Sequence, residues 1–164
     1  MPPEAHFDLD QLDLTRLVAD QDAIRQVNQQ RFEMEQLTAV VYVDPSQHIM
    51  IGYKDVRDDE FWVRGHMPDY PLLPGVLMCE AGAQVGGYYI AKHKLLQCDF
   101  VGFGGMDNVR FRSGVYPGER LVIVSKLSKL HRRQVITNVQ GFVNKVMVFH
   151  ADIIGVPLMR KREP

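Results

Sequence analysis

From Pro74 to about Ala91 the chain carries a single charge, Glu80, in an otherwise apolar and glycine-rich run. A proline suits the first helical position, where its missing N–H costs nothing, so the run predicts a helix of more than about four turns beginning near Pro74. Apolar residues occur almost all round it, and such a helix has to be wrapped on several sides rather than lie on a surface. Gly75, Ala81, Gly82, Ala83, Gly86 and Gly87 keep it narrow. Helical glycines each cost up to about 1 kcal/mol, so their density implies close packing against other backbone.

The remaining segments have to supply that wrapping. Leu37–Val43 is β-branched and aromatic, Asp44-Pro45-Ser46 breaks it, and Ile49–Tyr53 predicts the returning arm of a hairpin. Phe61-Trp62-Val63 is a short strand candidate. Pro68, Pro71 and Pro74 recur every third residue, which excludes ordinary helix and central strand and makes a stiff approach to the helix. Beyond a glycine loop at 102–105, partly alternating runs at Val109–Arg112, Leu121–Leu130, Gln134–Val143 and Val146–Ile154 read as strands. Their short joins, His131-Arg132-Arg133 and Asn144-Lys145, imply an antiparallel meander. The fold class is therefore α+β: an antiparallel sheet curved around one long central apolar helix. Between Leu9 and Val27, apolar spacings of three and four predict one amphipathic helix or two short ones.

The 164 residues, 46% hydrophobic, suffice for one domain with a real core. Nineteen basic and 20 acidic residues give a net charge of -1, so no global field recommends a nucleic acid or a membrane as partner. No apolar stretch approaches the roughly 20 residues of a membrane span, and the N-terminus lacks a signal-like basic and apolar start. A soluble, cytoplasmic protein is expected. Cys79 and Cys98 have the spacing of neither a zinc site nor a disulfide framework and read as reduced thiols.

Two ionisable residues carry the chemistry. His66 lies in the proline-ruled loop, and Glu80 lies on the apolar helix with Gln84 four residues on. Taken alone, His66 could be a loop histidine bonded to backbone, and Glu80 could cap a neighbouring group. A carboxyl withdrawn from water tends to hold its proton, the state a general acid requires. At the helix start, Gly75 and Val76 offer unpaired N–H groups and the positive dipole end to a carbonyl oxygen. Base, acid and electrophilic backbone are what loss of water from a 3-hydroxyacyl thioester needs, with no metal or other cofactor.

Gly65-His66-Met67-Pro68, Pro71, Pro74-Gly75-Val76-Leu77, Glu80-Ala81 and Gln84 resemble the active-site signature of the 3-hydroxyacyl-acyl-carrier-protein dehydratases of fatty acid synthesis, the FabA/FabZ type with the hotdog fold. Met106–Arg112 and Val115–Leu121 resemble that family's following strand and turn, and the likeness spans roughly Arg31 to Ile154. It implies that His66 is the base at C2, that Glu80 is the acid at the departing hydroxyl, that the Gly75 region binds the thioester oxygen, and that Gln84 orients Glu80. It further implies a homodimer whose sites take His66 from one subunit and Glu80 from the other, with a trimer of dimers common. Glutamate at 80 matches the FabZ-like branch, which dehydrates, rather than the isomerising branch with aspartate. Met67, Asp69 and Leu73 stand where the family usually has phenylalanine, glycine and methionine, and at Gln30–Met34 only Arg31 of the usual pattern is kept.

The organisation expected is an N-terminal helical extension over 1–30, a hotdog dehydratase domain over 31–157 and a basic tail over 158–164. Tyr70 and Phe103 are candidates for tunnel or gate residues. Acyl carrier protein is acidic, so Arg110, Arg112, Arg120, Lys126, Lys129, Arg132 and Arg133 are candidates for its docking patch. Two rivals remain: a hotdog thioesterase, in which Glu80 activates water and His66 is idle, and a non-catalytic acyl-binding subunit.

Overall fold

A computed structural model describes residues 1–161; Arg162, Glu163 and Pro164 of the expected tail lie outside the described residues. The expected hairpin forms from β1 (Ala39–Asp44) and β2 (Ile49–Asp55), joined where Asp44 accepts hydrogen bonds from the Ser46 and Gln47 amides. The central helix is α2 (Gly75–Lys92), with Pro74 one position earlier than expected, at the N-cap. Four strands follow: β3 (Phe100–Phe111), β4 (Arg120–His131), β5 (Gln134–Val143) and β6 (Val146–Leu158). Every pairing is antiparallel, in the order β1-β2-β4-β5-β6-β3, so β4, β5 and β6 make the predicted meander. This is the α+β hotdog architecture, one sheet packed around one long helix.

The glycines let helix and sheet approach. A β-carbon on Gly82 would come within 2.6 Å of Val139 Cγ1, and one on Gly86 within 3.0 Å of Thr137 Oγ1. The main core lies between them, from Leu37, Met50 and Leu73 through Met78, Val85 and Tyr88 to Ile123, Val139, Phe149 and Ile153.

Three expectations are corrected. Phe61–Val63 is not a strand but a turn, because Trp62 is buried at 4% exposure with its indole N–H on Glu60 Oε2 at 3.0 Å. The glycines at 102–105 do not form a loop. They lie inside β3, where Gly102 and Gly104 make room for the side chains of Leu158 and Val156 on β6. The N-terminal segment is not one continuous helix: the alternative of two short ones forms, a 3-10 turn at Leu9–Gln11 and the helix α1 (Gln21–Arg25), and the rest is not helical. It is a strap. Phe7, Leu9, Leu12 and Leu14 cover a second apolar cluster on the other sheet face, built from Ala39, Val41, Ile49, Ile51, Tyr53, Val122, Val124 and Phe142. That cover explains why Leu121–Val124 is continuously apolar, a pattern that goes with burial on both faces. The strap then rounds the sheet edge, where Ala19 bridges Val40.

Candidate active site

Backbone bonds and one buried ion pair fix the loop that carries His66. The Lys54 ammonium and Glu60 carboxylate meet at 2.8 Å with both side chains almost wholly buried, and Glu60 also accepts from Arg57 N–H and the Trp62 indole. His66 N–H donates to the Trp62 carbonyl at 2.8 Å, and the His66 carbonyl accepts from Leu72 N–H at 2.8 Å. Its ring Nδ1 lies 2.6 Å from the Leu72 carbonyl. A carbonyl only accepts, so Nδ1 carries the hydrogen and Nε2 of the neutral ring keeps its lone pair, as a base requires. Tyr70 and Tyr116 pair edge to face with their hydroxyls 2.9 Å apart, and Leu73 N–H donates to the Val115 carbonyl.

Glu80 is held by the buried Gln84. The Gln84 amide N–H₂ donates to Glu80 Oε1 at 2.8 Å and to the Met34 carbonyl at 2.6 Å, while its Oε1 accepts from Gln36 N–H at 2.9 Å. Gln84 is 2% exposed, and these bonds leave its amide one orientation. Gln30 Nε2 lies 3.4 Å from the same Glu80 oxygen, and Asn28 Nδ2 donates to the Gln84 carbonyl at 3.1 Å. The polar stretch 28–36 thus clamps the helix at Glu80. Arg31 braces that stretch on the carbonyls of Arg25, Asn28 and Gln30, and Arg25 braces it through a two-pronged pair with Glu35. Hydrogen bonding from Arg25 holds the Glu35 carboxyl below the usual carboxylate range.

A cavity of about 500 Å³ opens beside Glu80. The strap lines one side of it; Ala83, Gly87 and Ile90 of α2, Phe103 of β3 and Val135, Ile153 and Gly155 of β5 and β6 line the rest. His66 does not line this cavity and makes no hydrogen bond to Glu80. Within one chain the two groups are therefore not brought together. At the helix start Pro74 supplies no side-chain cap, and the first intrahelical bonds come from Leu77 and Met78 N–H, which leaves Gly75 and Val76 N–H available. The Phe111 ring lies so close to Gly75 that a β-carbon there would meet it at 2.8 Å.

Other predicted residues separate. Phe103, 48% exposed, lines the cavity; Tyr70 does not. Arg120 is engaged elsewhere: it grips Asp55 at 2.6 and 2.9 Å and stacks over Tyr53 at 3.8 Å. Arg110 and Arg112 sit at the end of β3 near His150, whose pKa is lowered by burial and by those two cations. Arg132 and Arg133 occupy the β4–β5 turn, and Gln134 beside them begins β5 at the far end of the register from Phe142 and Met147. The proposed docking cations therefore do not form one patch on a single chain. Asn28, Met34 and Gln36 were not singled out in the sequence. The available signal was Gln84 itself, whose burial demands partners on both ends of its amide. Both cysteines are free, and burial pushes the Cys79 thiol up to about 11. Among the described residues, no three His, Cys, Asp or Glu side chains gather as metal ligands, and no helix is long and apolar enough to cross a membrane.

A hotdog scaffold with a clamped carboxylate at the head of an apolar cavity places the chain in a defined structural class. Residues 28–152 match the FabA-like domain family, and the chain belongs to that family. It is 38% identical over 110 residues to a 3-hydroxyacyl-[acyl-carrier-protein] dehydratase FabZ of Hydrogenobaculum sp., covering 65% of this chain and 73% of that one. To the FabZ of Moorella thermoacetica it is 36% identical over 114 residues, covering 70% and 79%. Among solved structures it resembles the dehydratase heterocomplex ApeI:P from Xenorhabdus doucetiae, with a TM-score of 0.69, 15% identity and coverage of 82% and 90%. A hypothetical thioesterase with coenzyme A from Streptococcus pneumoniae shares the fold, with a TM-score of 0.56, 10% identity and coverage of 72% and 83%.

Proposed function

We propose that the protein removes water from (3R)-hydroxyacyl thioesters to give trans-2-enoyl thioesters in fatty acid biosynthesis, with acyl carrier protein as the preferred carrier. The observation that carries this reading is the pairing of a fixed tautomer with a fixed carboxyl. His66 has Nδ1 committed to the Leu72 carbonyl, and Glu80 is oriented by Gln84 at the head of the cavity.

His66 Nε2 takes the proton from C2 of the substrate. Negative charge moves to the thioester oxygen, where Gly75 and Val76 N–H and the helix dipole stabilise it. Glu80, in its acid form, gives its proton to the hydroxyl at C3; the C3–O bond breaks, water leaves and the C2–C3 double bond forms. Histidine ends as imidazolium and glutamate as carboxylate, and proton exchange with solvent restores both.

The site is shared between two copies of the chain. β3 is the sheet edge that no other segment covers among the described residues, whereas the strap occupies the edge of β1. Pairing of two β3 edges would complete both sheets and carry the partner's His66 toward Glu80, in agreement with the separation of the two groups within one chain.

The test follows enoyl thioester and free thiol together on a hydroxyacyl carrier-protein substrate. Enoyl product without thiol is expected. Free thiol would indicate a thioesterase, and neither product a binding subunit; both outcomes contradict the proposal.

A further inference from the structure

Gly87 stands where a helix ordinarily carries a side chain. At 3.6 residues per turn, Glu80, Ala83, Gly87 and Ala91 share one face of α2, and all four line the cavity. Gly82 and Gly86 are required by close contact with Val139 and Thr137, but a β-carbon on Gly87 would meet nothing within 4 Å. Within one chain no packing need accounts for this glycine, which costs the helix about 1 kcal/mol relative to alanine. What it leaves is open volume in the cavity that Glu80 heads.

The position of that volume has a length attached. Gly87 lies seven residues beyond Glu80, about 10 Å along the axis. An extended chain advances about 1.2 Å per bond, so Gly87 stands beside about the eighth bond past the atom held at Glu80. Ile90, Val135, Ile153 and Gly155 are among the other residues that line the cavity, with the Thr137 hydroxyl beside Gly86.

We propose that Gly87 is a specificity-determining residue: its missing side chain keeps the cavity open to long acyl tails, and a side chain there would confine the protein to short ones. The inference rests on reading the cavity as the acyl site.

The experiment compares wild type, Gly87→Ala and Gly87→Leu on (3R)-hydroxybutyryl and (3R)-hydroxyhexadecanoyl carrier protein. Gly87→Leu should lower the ratio of kcat/KM for the hexadecanoyl substrate to that for the butyryl substrate by about tenfold or more, the scale of a steric mismatch in an apolar pocket. Gly87→Ala should fall between them on the long substrate and melt above wild type, since its methyl enters empty space on a helix. Equal losses on both lengths, or an unchanged long-chain rate in Gly87→Leu, would overturn the assignment. Calorimetric binding of butyl and hexadecyl pantetheine thioethers, which cannot react, separates this inference from the reading beneath it. Selective loss of hexadecyl binding in Gly87→Leu, with wild type inactive on both substrates, would overturn the dehydratase reading and uphold Gly87. Equal hexadecyl binding in wild type and Gly87→Leu would overturn Gly87 alone.

Discussion

Glu80 and Gln84 are neighbours on one helix face, and the amide reaches past the carboxylate to the Met34 carbonyl and the Gln36 N–H. Changing Gln84→Leu therefore does two things at once. It frees Glu80 to leave its orientation, and it strips the buried Gln36 N–H of its partner, at about 1–3 kcal/mol for a buried group left unsatisfied, together with the more exposed Met34 carbonyl. Lower kcat together with an earlier urea midpoint is expected; unchanged kcat in a destabilised variant would make Gln84 structural only. For the reacting groups, His66→Ala and Glu80→Gln should each reduce turnover by about 10²-fold or more, with circular dichroism unchanged. Near-wild-type turnover in either variant would remove that residue from its role. At this scale much was legible, because a lone carboxylate on an apolar helix and an amide one turn away are visible as residue types. Their partners were not: Gln84 is held by the main chain of residues 34 and 36, and backbone contacts leave no mark on side-chain identity.

The elements that positioned most clearly were those whose pattern is local. Helix α2 is apolar all round and proline-started, and the hairpin β1–β2 and the meander β4–β6 have turn residues between β-rich runs. The first half of β3 is not legible in the sequence, because its glycines have the composition of a loop; the side chains of Val156 and Leu158 on the neighbouring strand β6 explain Gly102 and Gly104. The strap was legible only in part: of the two short helices that its apolar spacing allowed, a 3-10 turn forms at Leu9–Gln11 and α1 carries Ile24 into the main core, while Leu14 covers the outer sheet face and Leu17 and Val18 stay half exposed. Its inner part also carries a pH dependence. Arg25 holds the Glu35 carboxyl low in the folded state, so the unfolded chain binds that proton more readily and stability rises with pH across the interval. The contribution is full above the usual carboxylate range and is lost as pH falls through the depressed value. Thermal unfolding of wild type and Arg25→Ala should therefore differ most near neutral pH and converge in acid. A gap that widens in acid would reverse the sign and refute the pairing.

On the scale of the whole molecule, the strap closes one sheet edge and one sheet face, and β3 is left as the open edge among the described residues. The same chain keeps His66 outside the cavity that Glu80 lines, so the proposed site is incomplete without a second copy. Arg110 and Arg112 at one end of the sheet and Arg132 and Arg133 at the other do not make a common surface within a chain, so any carrier-protein patch drawing on both would also have to span subunits. The division of the site is the central claim, and subunit mixing tests it directly. His66→Ala and Glu80→Gln chains, each nearly inactive alone, are co-expressed with different tags and the mixed dimer is isolated. One site of that dimer pairs an intact His66 with an intact Glu80 from opposite chains, and the other holds both substitutions. Recovery to about half of the wild-type rate per dimer is predicted; activity no higher than that of the two parent variants would contradict a site shared between subunits.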